Sequence, residues 1–243
     1  MPMDKLSYFD TLANLIPGIV ALWGISVLFP GVYASQSALF SSPILGPIVY
    51  VSIALVVGNL VQFLSKITVE PLLRLTFWHR HLFSEIFLVE SFGRLTSAGH
   101  SLFVAAAANR LGFARAALAP LSNDTPRAHS APKTTLALSH AIYRVADAVT
   151  QDEGLAVKAH TQNVFYSLYR NLALVLFAGA FATVARPLTP NNLSPAFWLL
   201  PATQLAASIA FFLRTRDKGE AYVKGLFWSL AGSKGTKSDR SGA

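Results

Sequence analysis

The sequence predicts an all-α protein with four transmembrane helices in two hairpins, and with a helical cytoplasmic domain between spans two and three. Hydrophobic residues make up 53% of the 243 residues and charged residues only 13%, against roughly 25% charged in an average soluble domain. Long uncharged runs follow Asp10, Arg170 and Arg186. No period-2 pattern typical of β-strands is found. Buried helices of a soluble protein are the alternative, but such helices rarely lack charge for so long.

The first uncharged run contains two predicted spans. It comprises 55 residues between Asp10 and Lys66, whereas a membrane-spanning helix needs about 20. Pro30 and the proline pair Pro43 and Pro47 interrupt the run, so we predict span one over 7–29 and span two over 44–65. Ser7 with Asp10 forms a capping-box pattern that puts the start of the first helix at Ser7. The acidic residues near this start argue against a cleaved signal peptide.

The second hairpin follows from two shorter uncharged runs. Fifteen residues separate Arg170 from Arg186, about 22 Å of helix, which predicts span three over 165–185 if both arginines reach the headgroups. Twenty-seven residues separate Arg186 from Arg214 and predict span four over 193–213. The chain thus divides into an N-terminal transmembrane hairpin (1–65), a helical cytoplasmic domain (66–164), a C-terminal transmembrane hairpin (165–213) and a basic amphipathic tail (214–243).

Basic residues near the span ends predict the orientation, because cytoplasmic loops carry an excess of Lys and Arg. Nine fall on one side of the four-span arrangement: Lys5, Lys66, Arg74, Arg80, Lys158, Arg214, Arg216, Lys218 and Lys224. The opposite side has only Arg186. We therefore expect a multi-pass membrane protein, with both termini and the middle domain in the cytoplasm.

Polar side chains inside the predicted spans are candidate pore-lining or bundle-lining residues. Ser52, Asn59 and Gln62 share one face of span two with Lys66, because their spacings are close to whole helical turns. Gln204 and Ser208 lie one turn apart in span four. Such residues either join helices by hydrogen bonds or line an aqueous path. Four helices are too few for a wide pore, so conduction would require a homo-oligomer.

The basic tail contains an apolar face formed by Val223, Leu226, Phe227 and Leu230. This i, i+3, i+4, i+7 spacing predicts an amphipathic helix. Its apolar face could lie on a leaflet with anionic lipids as partners, or it could pack against the middle domain. Nucleic acid is not an expected partner, since residues 66–164 are only net +3 and their aromatic residues have the pattern of a core.

Few residues point to catalysis. The chain has no cysteine and no P-loop, GxGxxG, GxSxG or HExxH motif, so we expect neither a cofactor nor a metal. Arg94 and His100 fit the R-x(4–6)-H spacing and resemble the short signature of HEPN ribonucleases. This resemblance implies that Arg94 stabilises phosphate charge and that His100 transfers a proton.

Three segments, Tyr8–Gly18, Phe165–Arg170 and Tyr222–Val223, resemble small bacterial membrane proteins encoded beside phage-defence and CRISPR loci. Some of these are accessory effectors that combine membrane helices with a HEPN-like helical part. The resemblance implies an oligomeric pore or membrane-perturbing effector in the bacterial inner membrane. We expect such a role. The cytoplasmic domain would control it, and a cytoplasmic protein could bind there as a partner. A membrane-tethered ribonuclease and a non-conducting scaffold are the alternatives, and we favour a non-enzymatic role.

Overall fold

A computed structural model describes residues 4–28, 42–78, 80–89, 92, 94–122, 131–152, 157–185 and 195–232, and over these residues the chain is all-helical. This confirms the predicted all-α class. The α-helices are α1 (Asp4–Leu28), α2 (Leu45–Phe77), α3 (Phe83–Ile86), α4 (Ser97–Leu111), α5 (Arg115–Leu118), α6 (Lys133–Asp152), α7 (Val157–Val184) and α8 (Pro195–Gly232). A 3-10 turn, Ala119–Ser122, follows α5.

Three of these helices, α2, α7 and α8, are long and apolar enough to cross a membrane. Helix α1 contains a shorter apolar stretch, Thr11–Val27. Large apolar side chains on α2 are exposed, among them Val56 at 69% and Phe63 at 61%. Such a surface is unusual for a water-soluble protein and is expected of a helix that contacts lipid.

Helix α1 begins earlier than predicted, whereas the start of α2 agrees with the prediction to within one residue. Helix α1 begins at Asp4, so Ser7 lies inside it and is not the cap that the capping-box pattern indicates. Helix α2 begins where predicted, because the Ser42 Oγ accepts a hydrogen bond from the backbone N–H of Leu45 at 3.2 Å. Pro47 lies in the first turn of α2, where a backbone N–H would have no partner within the helix. The N–H that proline lacks is therefore no loss at this position.

Helix α2 also extends to Phe77, well beyond the predicted end of span two. The apolar residues that follow do not continue this helix, because the chain turns at Arg80, whose φ is 71°. Left-handed backbone of this kind interrupts a helix. Helix α3 then begins at Phe83.

The chain forms two compact units. The first unit comprises Pro2–Leu73 and Asn163–Lys218, and the second comprises Arg74–Gln162 and Gly219–Ala243. The first unit therefore contains most of the apolar helices. The second contains the middle segment together with the tail, of which the structure describes residues up to Gly232.

Aromatic residues form the core of the second unit. Phe87, Phe103 and Phe227 are almost fully buried, and their ring centroids are 5.3–5.8 Å apart. The four residues of the tail's apolar face are all buried, Phe227 in this core and Leu226 against Ala159 and Tyr222: Val223, Leu226, Phe227 and Leu230. Of the two arrangements considered for the tail, the structure shows packing with the middle segment. Only Trp228 on this stretch presents a large exposed apolar side chain.

Candidate functional site in the apolar helices

Helices α1 and α2 approach each other closely enough for their backbones to touch. A Cβ added at Gly18 would overlap the carbonyl of Ala54, and one added at Gly58 would overlap the carbonyl of Asn14. Spaced small residues of this kind permit close helix contact in membranes. Next to this contact, the Asn14 Nδ2 donates a hydrogen bond to the Asn59 Oδ1 at 3.0 Å. Asn59, a predicted pore-lining residue, thus joins two helices.

A buried polar network joins α1, α2 and α7. The Ser65 Oγ lies 2.5 Å from the Asn171 Oδ1, and the Asn171 Nδ2 donates to the carbonyl of Ala13 at 3.4 Å. Ser65 and Asn171 have no measurable exposure. Hydrogen-bonded polar groups of this kind hold apolar helices in a specific arrangement where hydrophobic burial cannot, because lipid is equally apolar.

Arg170 extends this network with an ion pair. Its Nε donates to the Ser65 Oγ at 3.1 Å, and its Nη1 lies 3.4 Å from the Glu70 Oε2. The guanidinium also lies over the ring of Tyr166, 5.3 Å from its centroid. Arg170 is only 5% exposed. It therefore turns into the helix packing and does not extend outward as the sequence analysis expected.

The predicted residues of α8 contact α7. The Ser208 Oγ donates to the carbonyl of Ala173 at 2.7 Å and is buried. Gln204 packs against Gly179, where an added Cβ would lie 3.3 Å from the Gln204 Nε2. Both side chains therefore lie between helices of the first unit.

The predicted stripe on α2 is exposed along most of its length. Ser52, Asn59 and Lys66, spaced seven residues apart, are exposed, whereas Gln62 is half-buried. Ser52 donates only to the carbonyl of Ile48, one turn earlier in its own helix. The surrounding exposed residues are apolar: Ile48, Val51, Val56, Leu60, Phe63 and Ile67. A line of polar groups thus runs along an otherwise apolar helix surface.

A second polar cluster lies among the helices of the second unit. The Tyr222 hydroxyl donates to the Asp147 Oδ1 at 2.8 Å, and the His160 Nε2 lies 3.8 Å from the same oxygen. Burial raises the pKa of the Tyr222 phenol above its ordinary value, and the neighbouring Tyr143 and Asp147 raise it further. No local pattern in the sequence indicates this cluster, because its members come from three helices and Tyr222 lies 75 residues from Asp147.

Arg94 and His100 each bond to a different part of the backbone. The Arg94 Nη2 donates to the carbonyl of Phe77 at 2.9 Å, and the His100 Nε2 lies 2.9 Å from the carbonyl of Leu88. His100 is 5% exposed and borders an open cleft of about 310 Å³, whose lining includes Arg115. Arg94 is not among the residues that line this cleft.

Within the part of the chain that the structure describes, no three His, Cys, Asp or Glu residues are grouped so that they could hold a metal ion. Comparisons with protein-family models, with curated protein sequences and with solved structures give no match for this chain. Function is therefore inferred from the residues themselves.

Proposed function

We propose that this chain is an integral inner-membrane protein with four spans in two hairpins, which assembles as a homo-oligomer and conducts ions through the assembly. Helix α1 supplies the fourth span, paired with α2 through the close contact at Gly18 and Gly58. The second unit and both termini lie in the cytoplasm, as the distribution of basic residues favours. The second unit would then be placed to control conduction in response to a cytoplasmic partner.

The observation that carries this proposal is the exposed polar stripe of α2, formed by Ser52, Asn59 and Lys66. Polar and ionisable groups at membrane depth are costly against lipid and face protein or water. Ser52, Asn59 and Lys66 are exposed in the described part of the chain, although Asn59 bonds to Asn14. Copies of the chain that turn this stripe toward a common axis would place its polar groups in contact with water. Rings of charged or hydrogen-bonding groups line ion pathways in channels.

Disulfide cross-linking tests the assembly. The chain has no cysteine, so Ser52→Cys introduces a single thiol. Copies arranged around the stripe bring these thiols together, and oxidation in membranes should produce a covalent dimer. Ile53→Cys is the matched control, because the adjacent residue points about 100° away around the helix and is also exposed. Stronger cross-linking of Ile53→Cys would contradict an assembly around the stripe.

Flux through liposomes tests conduction. The purified chain should release entrapped salt, and Asn59→Leu combined with Gln62→Leu should lower the rate at least severalfold by making the path apolar. Thr203→Val is the control, since Thr203 is an exposed polar residue on α8 whose hydroxyl bonds only within that helix. Cross-linked oligomers without flux would instead indicate a scaffold. Equal flux from the Leu variant and the unmodified chain would overturn the stripe as the path.

A further inference from the structure

The exposed stripe of α2 carries positive charge and no negative charge. Lys66 is its only ionisable residue, and its side chain is exposed at the end of the stripe. Ser52 and Asn59 contribute a hydroxyl and an amide, which carry no net charge. Copies of the chain around an axis would therefore place a ring of ammonium groups at one end of the pathway.

The nearest acidic residue on α2 does not cancel this charge. Glu70 lies one turn beyond Lys66, but its side chain is 11% exposed and is paired with Arg170 at 3.4 Å. Its negative charge is thus balanced inside the helix packing, away from the exposed stripe. Four more charged residues lie at the C-terminal end of the first unit, Arg214, Arg216, Asp217 and Lys218, and together they are net positive.

We propose that the pathway is selective for small inorganic anions and that Lys66 is its selectivity-determining residue. This inference depends on the proposed channel function. Rings of Lys or Arg attract anions and repel cations in pores, and low-dielectric walls focus this field along the axis. Asn59 accepts its bond from Asn14 through the Oδ1, so its amide N–H groups would be donors for a partly dehydrated anion along the path.

Reversal potentials across a planar bilayer with a KCl gradient test the inference. The unmodified chain should give the sign expected for chloride permeation. Lys66→Gln should reduce the chloride-to-potassium permeability ratio severalfold, and Lys66→Glu should invert the preference. Lys158→Gln removes an exposed lysine of the second unit and should leave the ratio unchanged.

A thiol version of the experiment does not depend on how each variant folds. Lys66→Cys can be assembled first and then modified, since it is the only thiol. A positively charged aminoethyl methanethiosulfonate should restore anion preference, and the negatively charged sulfonatoethyl reagent should favour potassium. Two results would overturn the role of Lys66 while leaving conduction in place. One is a higher permeability to potassium than to chloride in the unmodified chain, and the other is the same permeability ratio after either reagent. Absence of any current would instead refute the channel itself.

Discussion

At the scale of single residues, Arg170 is a charged side chain that is buried among the apolar helices of the first unit. Its guanidinium is held by the Ser65 hydroxyl, the Glu70 carboxylate and the ring of Tyr166. A buried ion pair contributes little net stability compared with apolar residues of similar size, but the loss of one partner leaves an uncompensated charge. We therefore expect the pair to favour the arrangement in which these faces of α2 and α7 meet.

We expect Arg170→Met to destabilise the chain by about 3–5 kcal/mol, because Glu70 would stay buried without its partner. Glu70→Leu combined with Arg170→Met should recover most of this loss. The thermal unfolding midpoint in detergent measures both effects. A double variant as unstable as the single one would show that the ion pair is not the cause.

The raised pKa of Tyr222 predicts that the stability of the folded chain falls at alkaline pH. Burial raises the pKa of its phenol, so the folded chain favours the neutral form more than the unfolded chain does. The resulting stability is fully present below the unfolded pKa of about 10 and falls as the pH rises above it. Tyr222→Phe should lose about 1.5–3 kcal/mol near neutral pH, since the hydrogen bond to Asp147 is removed.

The same variant should show a flatter stability profile above pH 10 than the unmodified chain, because phenylalanine has no proton to lose. Thermal unfolding in detergent at a series of pH values measures this. Profiles that fall in parallel for both proteins would show that Tyr222 is not the titrating group responsible.

At the scale of elements, the contact between α1 and α2 depends on two glycines. Gly18→Ala and Gly58→Ala should each destabilise this helix pair by about 1–3 kcal/mol, because the new methyl group would overlap a backbone carbonyl of the other helix. Gly24→Ala is the control on α1. A Cβ there meets nothing within 4 Å, and alanine favours a helix over glycine by roughly 1 kcal/mol.

Protease resistance of the purified chain in detergent measures the effect of the three alanine variants. The first two should be cleaved faster than the unmodified chain, whereas Gly24→Ala should be cleaved no faster. A Gly24→Ala variant as sensitive as the other two would show that helix conformation, and not close packing, limits stability.

At the scale of the whole molecule, the proposed four-span arrangement predicts which positions share a side of the membrane. Met3→Cys and Lys133→Cys should react with an impermeant maleimide only after cells are permeabilised, whereas Ser37→Cys, between the first two spans, should react in intact cells. Each variant has a single thiol because the chain has none of its own. Labelling of Met3→Cys from outside would mean that α1 does not cross the membrane.

The sequence predicted the helical class because uncharged runs and apolar periodicity are local properties of the chain. It predicted helix ends less well. Lys66 ended the uncharged run and so marked the end of span two, yet α2 continues to Phe77, because Lys and Glu are good helix formers. A change in polarity marks where a span can end and does not mark where the helix ends.

The polar network was harder to predict because its partners are far apart in the chain. Ser65 and Asn171 are 106 residues apart, and nothing local to either residue indicates the other. Arg170 could equally have extended to the headgroups, since its side chain is long enough for either position. Only the packing of α2 against α7 decides between them.

The position of Phe227 has a consequence for biosynthesis. This ring completes the aromatic core that Phe87 and Phe103 begin, yet 64 residues lie between it and Gln162, where the middle part of the second unit ends. At translation rates of about 5–20 residues per second, the nascent chain waits on the order of 3–13 s for this ring. During that interval its unfinished core is a substrate for chaperones and cellular proteases.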